Sequence, residues 1–163
     1  TGASLDLLTL ARFAHWDRIV ARPNAGAARR SFALGLAYAR INDIASAQAQ
    51  LAALRGDLHS IEFFDLLDGA IDEQRGDVAG AIASYTRAVD LQRRDYSAEY
   101  IPLFPAGEML GALYIRAGRY TEARRALEAT LARYPNDPRA LNALALACSR
   151  TGAATCKQPG TRL

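Results

Sequence analysis

Apolar side chains recur along this chain at helical spacing, and short polar breaks divide them into pairs. The clearest pair runs from Gly107 to Pro138. Leu110, Leu113 and Tyr114 fall at i, i+3 and i+4 and share one helix face. Gly118 follows, where a residue without Cβ accepts the left-handed conformation that ends a helix. Thr121 is expected to cap a second helix, with Glu122 near the positive end of its dipole. Ala123, Ala126, Leu127, Thr130 and Leu131 carry the apolar face of that helix. Arg133 sits near its negative end and Pro135 stops it. Asp137 and Pro138 open one more helix, with Asp as N-cap and Pro at the first helical position.

The same grammar recurs upstream. A helix over 28–40 and another over 44–54 flank Asn42-Asp43, and helices over 61–74 and 78–91 flank Gly76-Asp77. Asn tolerates positive φ better than other residues with a side chain, so Asn42 stands in for glycine. Gly35 and Gly69 are 34 positions apart, and so are Gly111 and Ala145. At the front, 4–14 carries an apolar stripe, a turn is expected at His15-Trp16-Asp17, and a short helix is expected over 18–22. Gly69 and Gly111 are 42 positions apart. The surplus falls in a stretch holding Tyr96, Tyr100, Ile101, Leu103 and Phe104, read as an insert that seals a gap between longer helices, with a rim of the groove as its other reading. The resulting division is one helical repeat domain over 1–152. It holds a degenerate repeat at 4–22, repeats at 28–56, 61–93 and 105–135, and a capping helix at 138–150. The insert spans 92–105, and 153–163 is a flexible tail.

The small residues add a packing argument. Gly111 and Ala123 lie where the two helices of a hairpin touch, and a larger side chain there would push the axes beyond the usual ~8–10 Å. Leu110, Gly111, Tyr114, Gly118, Ala123, Leu127 and Pro135 together resemble the tetratricopeptide repeat. That resemblance implies an all-α fold, a tetratricopeptide-like α-α superhelix of about nine helices. Four further stretches resemble one bacterial group of such proteins: ARFAHWDRIVARP, FALGLAYAR, the Tyr96…Glu99…Pro102…Pro105 insert, and the run from Leu110 to Ala145. In that group the matching region is the C-terminal part of a longer chain, and many members are exported. Export is therefore favoured over a cytoplasmic setting, with localisation left open.

Composition narrows the picture further. Half of the 163 residues are hydrophobic and 23% are charged, which suits a folded chain rather than a disordered one. Twenty basic residues against seventeen acidic ones leave a net charge of +3, and Lys157 is the single lysine. Arg29-Arg30 and Arg124-Arg125 are dispersed pairs rather than a basic stripe, so nucleic-acid binding is not expected. No apolar run approaches the ~20 residues of a membrane span. Cys148 and Cys156 are too few for a disulfide framework or a structural zinc site. A single bridge between them and two free thiols are the alternatives.

Chemistry for catalysis is thin. His15 and His59 have no ligand or carboxylate at metal spacing, and the Gly76–Gly80 stretch lacks the lysine of a phosphate loop. Asp65, Asp68 and Asp72 share a helix face, read as solvated acid rather than a cation site. The expectation is a non-enzyme without cofactor or metal.

Stacked helix pairs curve so that the first helix of each lines a hollow face. Counting from Gly35, Gly69, Gly111 and Ala145 names that lining. Six positions before come Arg29, Phe63, Pro105 and Arg139; three before come Phe32, Leu66, Glu108 and Asn142; five after come Arg40, Gln74, Arg116 and Arg150. Leu36 joins them. Arginine beside apolar residues suits an acidic and apolar protein or peptide segment. The competing reading has these arginines solvated or paired with Glu73 and Glu108. A clamp for a partner's terminal carboxylate is excluded, because Phe32, Leu36, Leu67, Pro105 and Met109 occupy its positions. Two other roles are weighed. One is a structural cap on upstream repeats, which would leave an apolar face on the first helix and favour self-association into a homo-oligomer. The more distant one is an accessory part of an enzyme with its site elsewhere.

Overall fold

The computed structural model describes residues 2–20, 28–55, 61–94 and 104–152, which form nine helices and no strand. In order these are α1 (Gly2–Arg12), α2 (Trp16–Val20), α3 (Ala28–Arg40), α4 (Ile44–Leu54), α5 (Ile61–Arg75), α6 (Val78–Arg94), α7 (Ala106–Arg116), α8 (Tyr120–Arg133) and α9 (Pro138–Thr151). The chain forms two compact units, Thr1–Leu91 and Gln92–Leu163. Most of the insert, Cys156 and the tail lie outside the described residues.

In the first unit, α3 packs against α1, α2, α4 and α5. One turn geometry repeats between the paired helices. Ala14, Asn42 and Gly76 have φ of 58°, 64° and 77°. The residue after each donates its N–H to a carbonyl five positions back: His15 to Leu10 at 2.9 Å, Asp43 to Tyr38 at 2.8 Å, Asp77 to Asp72 at 2.9 Å. These bonds satisfy carbonyls that a helix end leaves open. Asp43 then caps α4, accepting from the Ser46 N–H at 3.1 Å, and Asp77 accepts from the Gly80 N–H at 2.9 Å.

Close approach depends on missing side chains, as the small-residue spacing predicts. A Cβ on Gly69 would lie 2.6 Å from Tyr85 Cε1, far inside van der Waals contact. Gly35 differs from its counterparts. The atoms nearest its absent Cβ belong to Leu67 of α5, and only then comes Gln50 Cβ of α4 at 3.1 Å. The glycine therefore admits a neighbouring pair's first helix, rather than only its own hairpin partner.

One expectation at the front of the chain is corrected. The first turn lies at Phe13–Ala14, and α2 already begins at Trp16, so His15-Trp16-Asp17 is not the turn and Arg18 is not the helix start. The backbone bond from His15 to Leu10 closes the helix end two residues earlier than the polar residues suggest. Over Leu7–Ala11 of α1, Thr9 alone is exposed.

In the second unit, α8 lies against α7 and α9, and α7 also meets α9. Its core holds Ala123, Leu127, Leu131, Ala140, Leu144 and Ala147, with Tyr114, Ile115, Leu141 and Cys148 packed beside them. A Cβ on Gly111 would lie 2.5 Å from Leu127 Cγ, and one on Gly107 would run into Thr130 Oγ1. Gly118 (φ 72°) repeats the turn of the first unit, with Arg119 N–H bonding the Tyr114 carbonyl at 2.8 Å. Arg119, not Thr121, is the N-cap of α8, and no side chain caps that end. The tight turn brings Tyr120 directly into the helix and leaves Thr121 one residue inside it. Asp137 caps α9 as expected, accepting from the N–H groups of Arg139 and Ala140.

The start of α7 is held by a buried side chain that the periodicity does not reveal. Gln92 donates through Nε2 to the Phe104 carbonyl at 2.9 Å and accepts through Oε1 from the Ala106 N–H at 2.8 Å. It thereby satisfies one of the open amides of a helix whose own N-cap, Pro105, offers none. Phe104 is buried. Tyr96, Tyr100, Ile101 and Leu103 fall outside the described residues.

Candidate peptide-binding face

In the first unit the expected lining is mostly core. Phe32, Leu36 and Leu66 are 0%, 2% and 0% exposed, so they present no surface to a ligand. Helices α3 and α5 pack directly on each other, and the apolar residues between them are consumed by that contact. Phe63 is half-buried and stacks on Phe32, ring centres 4.9 Å apart and planes at 30°. Gln74 is half-buried on the last turn of α5. Arg29 lies on α3, near its start.

Arg40 is engaged. Its Nη1 donates to Glu73 Oε1 at 2.9 Å, and Glu73 Oε2 accepts from the Tyr85 hydroxyl at 3.2 Å. The Glu73 side chain is 10% exposed and that of Arg40 is 26% exposed. A nearly buried carboxylate needs both donors, so this arginine balances an internal charge.

The aspartate face of α5 is corrected as well. Asp65 is buried and accepts from Arg87 Nε at 2.9 Å, while Asp68 accepts from Ser84 Oγ at 2.9 Å and pairs with Arg87 at 3.4 Å. The face therefore packs on α6 instead of standing in solvent. Burial pushes the Asp65 carboxyl above its ordinary range despite Arg87, and burial with the neighbouring Asp68 and Asp77 does the same to Asp72. Arg87 carries no periodic mark that would single it out. Among the described residues no group of three or more His, Cys, Asp or Glu can hold a metal ion. No described helix is long and apolar enough to cross a membrane. His15 is exposed, just after the first turn.

In the second unit four of the expected residues come to the surface, while Pro105 and Glu108 are buried. Arg139, Asn142 and Arg150 are exposed on α9, and Arg116 is exposed at the end of α7. Glu108 of α7 is buried, its side chain 10% exposed, and it faces Arg139 at 3.8 Å. It therefore orients an arginine more than it meets a ligand. Leu146 adds an apolar patch among these groups at 44% exposure. The counting rule that picks Leu36, one place after Gly35, picks Leu146 one place after Ala145, so the signal was present. Helix α9 turns Ala140, Leu144 and Ala147 into the core and leaves the opposite stripe outside.

Cys148 is half-buried and disulfide-bonded, and no described cysteine is free. Cys156, its expected partner, lies outside the described residues.

A family profile described as tetratricopeptide repeat matches residues 108–155. That span holds most of α7 together with α8 and α9. No curated protein matches the chain in sequence. The close glycine contacts, the left-handed turns and the matched profile agree: residues 108–155 carry a tetratricopeptide repeat, and the described residues have an all-α, tetratricopeptide-like fold.

Proposed function

We propose that this protein is a non-catalytic scaffold that holds a protein or peptide segment, and that α7 and α9 present the contact face. Tetratricopeptide repeats generally mediate protein–protein interaction, which supports the scaffold role. The observation that carries the choice of face is the exposed stripe Arg139, Asn142, Leu146 and Arg150 on α9, with Arg116 on α7. Exposed guanidinium groups beside one apolar side chain favour a segment with acidic and apolar residues. The first unit contributes framework in this reading, since its apolar lining is buried and Arg40 is bound to Glu73.

The test is a panel of fluorescent peptides, acidic, neutral and basic, titrated against the full chain at two salt concentrations. Acidic peptides should bind best and weaken as salt rises. Arg150→Glu should abolish that preference with the helical circular dichroism unchanged. Equal retention of acidic and neutral peptides would reject the proposal.

A further inference from the structure

The surface of α9 has a register that specifies more than charge. Arg139, Leu146 and Arg150 are separated by seven and four positions within one helix. At 100° per residue they fall within about 40° of one another around the axis, and at 1.5 Å per residue Leu146 lies about 10 Å from Arg139 and about 6 Å from Arg150. The three form a single file: cation, apolar group, cation. Arg139 and Leu146 are 45% and 44% exposed, and Arg150 is exposed and has no ion pair among the described residues. Asn142 flanks the file between its first two members, about 60° round from Arg139. Glu108 supports Arg139 from the α7 side at 3.8 Å.

We infer that this file binds an extended peptide segment in which two acidic residues five positions apart bracket one apolar residue. An extended chain advances about 3.3 Å per residue, so about 16 Å between the arginines corresponds to five residues. Leu146 sits nearer Arg150, so the apolar residue stands three places from one acid and two from the other. Charge complementarity selects the acids, and Leu146 removes apolar surface from water only when the partner's apolar residue reaches it. The single-file width matches one strand of peptide. A helical partner would need its acids eleven residues apart. The inference rests on the α7–α9 binding face proposed above and adds its spacing.

The experiment uses the full chain and labelled twelve-residue peptides of Ser, Asn and Gly that carry Asp-x-x-Leu-x-Asp or Asp-x-Leu-x-x-Asp. Controls place the acids two, nine or eleven apart, or replace Leu by Ser. One of the two five-apart peptides should bind best and so set the direction of the segment. Each displaced acid should cost up to about fivefold in Kd, the worth of one exposed ion pair. In Leu146→Ser the penalty for replacing the peptide Leu should disappear while the penalty for moving an acid persists. Indifference to spacing among acidic peptides that do bind overturns the register and leaves the scaffold proposal standing. Tightest binding by the eleven-apart peptide overturns the extended segment in the same way. Failure of every acidic peptide to exceed a neutral one overturns both.

Discussion

Arg40 on α3 and Glu73 on α5 meet at 2.9 Å although 33 positions separate them in sequence. The pair joins the two first helices of successive hairpins, and the Tyr85 hydroxyl donates to the other carboxylate oxygen of Glu73. Glu73 is the more buried member. Arg40→Met should therefore destabilise the first unit by about 1–3 kcal/mol, because it leaves a nearly buried carboxylate short of a donor. Arg40→Glu would place two carboxylates at this site and should cost more. Urea unfolding of both variants checks the order, and an unchanged midpoint for Arg40→Met would show that the pair contributes nothing.

Gly111 and Leu127 set the spacing of α7 and α8. A Cβ would sit 2.5 Å from Leu127 Cγ, and the Leu127 side chain has no exposed space to enter. Gly111→Leu should cost at least ~1–3 kcal/mol. Gly111→Ala should cost less, and it should be less harmful in a Leu127→Val background than the two changes summed. Thermal or urea midpoints of the four proteins give the coupling; strict additivity would mean that the two residues do not interact.

Ala14 occupies the position held by Asn42, Gly76 and Gly118 in the other turns, yet carries a Cβ at φ 58°. A side chain in this conformation costs roughly 1–2 kcal/mol, and glycine's extra freedom in the unfolded chain returns about 0.4–1. Ala14→Gly should raise stability by up to about 1 kcal/mol. Gly118→Ala, a change in the opposite sense with open space around it, should lower it by a similar amount. A destabilised Ala14→Gly would contradict the assigned turn.

Two carboxyls of the first unit should show opposite pH dependence. Burial raises Asp65, so its contribution is fully present below the unfolded value of 3.8 and is lost as pH rises through the raised value. Asp43 is lowered by the hydroxyl and then the amide of Ser46, so its contribution is present above 3.8 and fades as pH falls through the lowered value. Relative to Asp65→Asn, the parent protein should therefore gain stability on acidification toward 3.8. Relative to Asp43→Asn, it should lose stability as pH drops below that value. Unfolding free energies measured from neutral pH downward test both signs, and parallel curves would refute the assignments.

The cysteines make a simpler prediction. A bridge between Cys148 and Cys156 would leave the denatured, unreduced protein with no thiol toward Ellman's reagent and two after reduction. A free thiol before reduction would exclude the bridge.

The pattern of residues by itself determined the helices, their pairing turns and the glycine contacts at Gly69 and Gly111. These rest on short-range rules: apolar residues at i, i+3 and i+4 share a face, and a residue at positive φ ends a helix. Even the degenerate first pair obeys them, though its turn lies earlier than the polar residues His15 and Asp17 suggest. Tertiary structure alone decided which of the named residues are available to a partner. Phe32, Leu36 and Leu66 look like lining when counted from a glycine, and their burial depends on how closely α5 approaches α3. Arg40 and Arg150 stand at the same repeat position. The first meets Glu73, brought to it by the fold from 33 places away, and the second meets no acid among the described residues. Burial and charge pairing are made between helices, so no local pattern carries them.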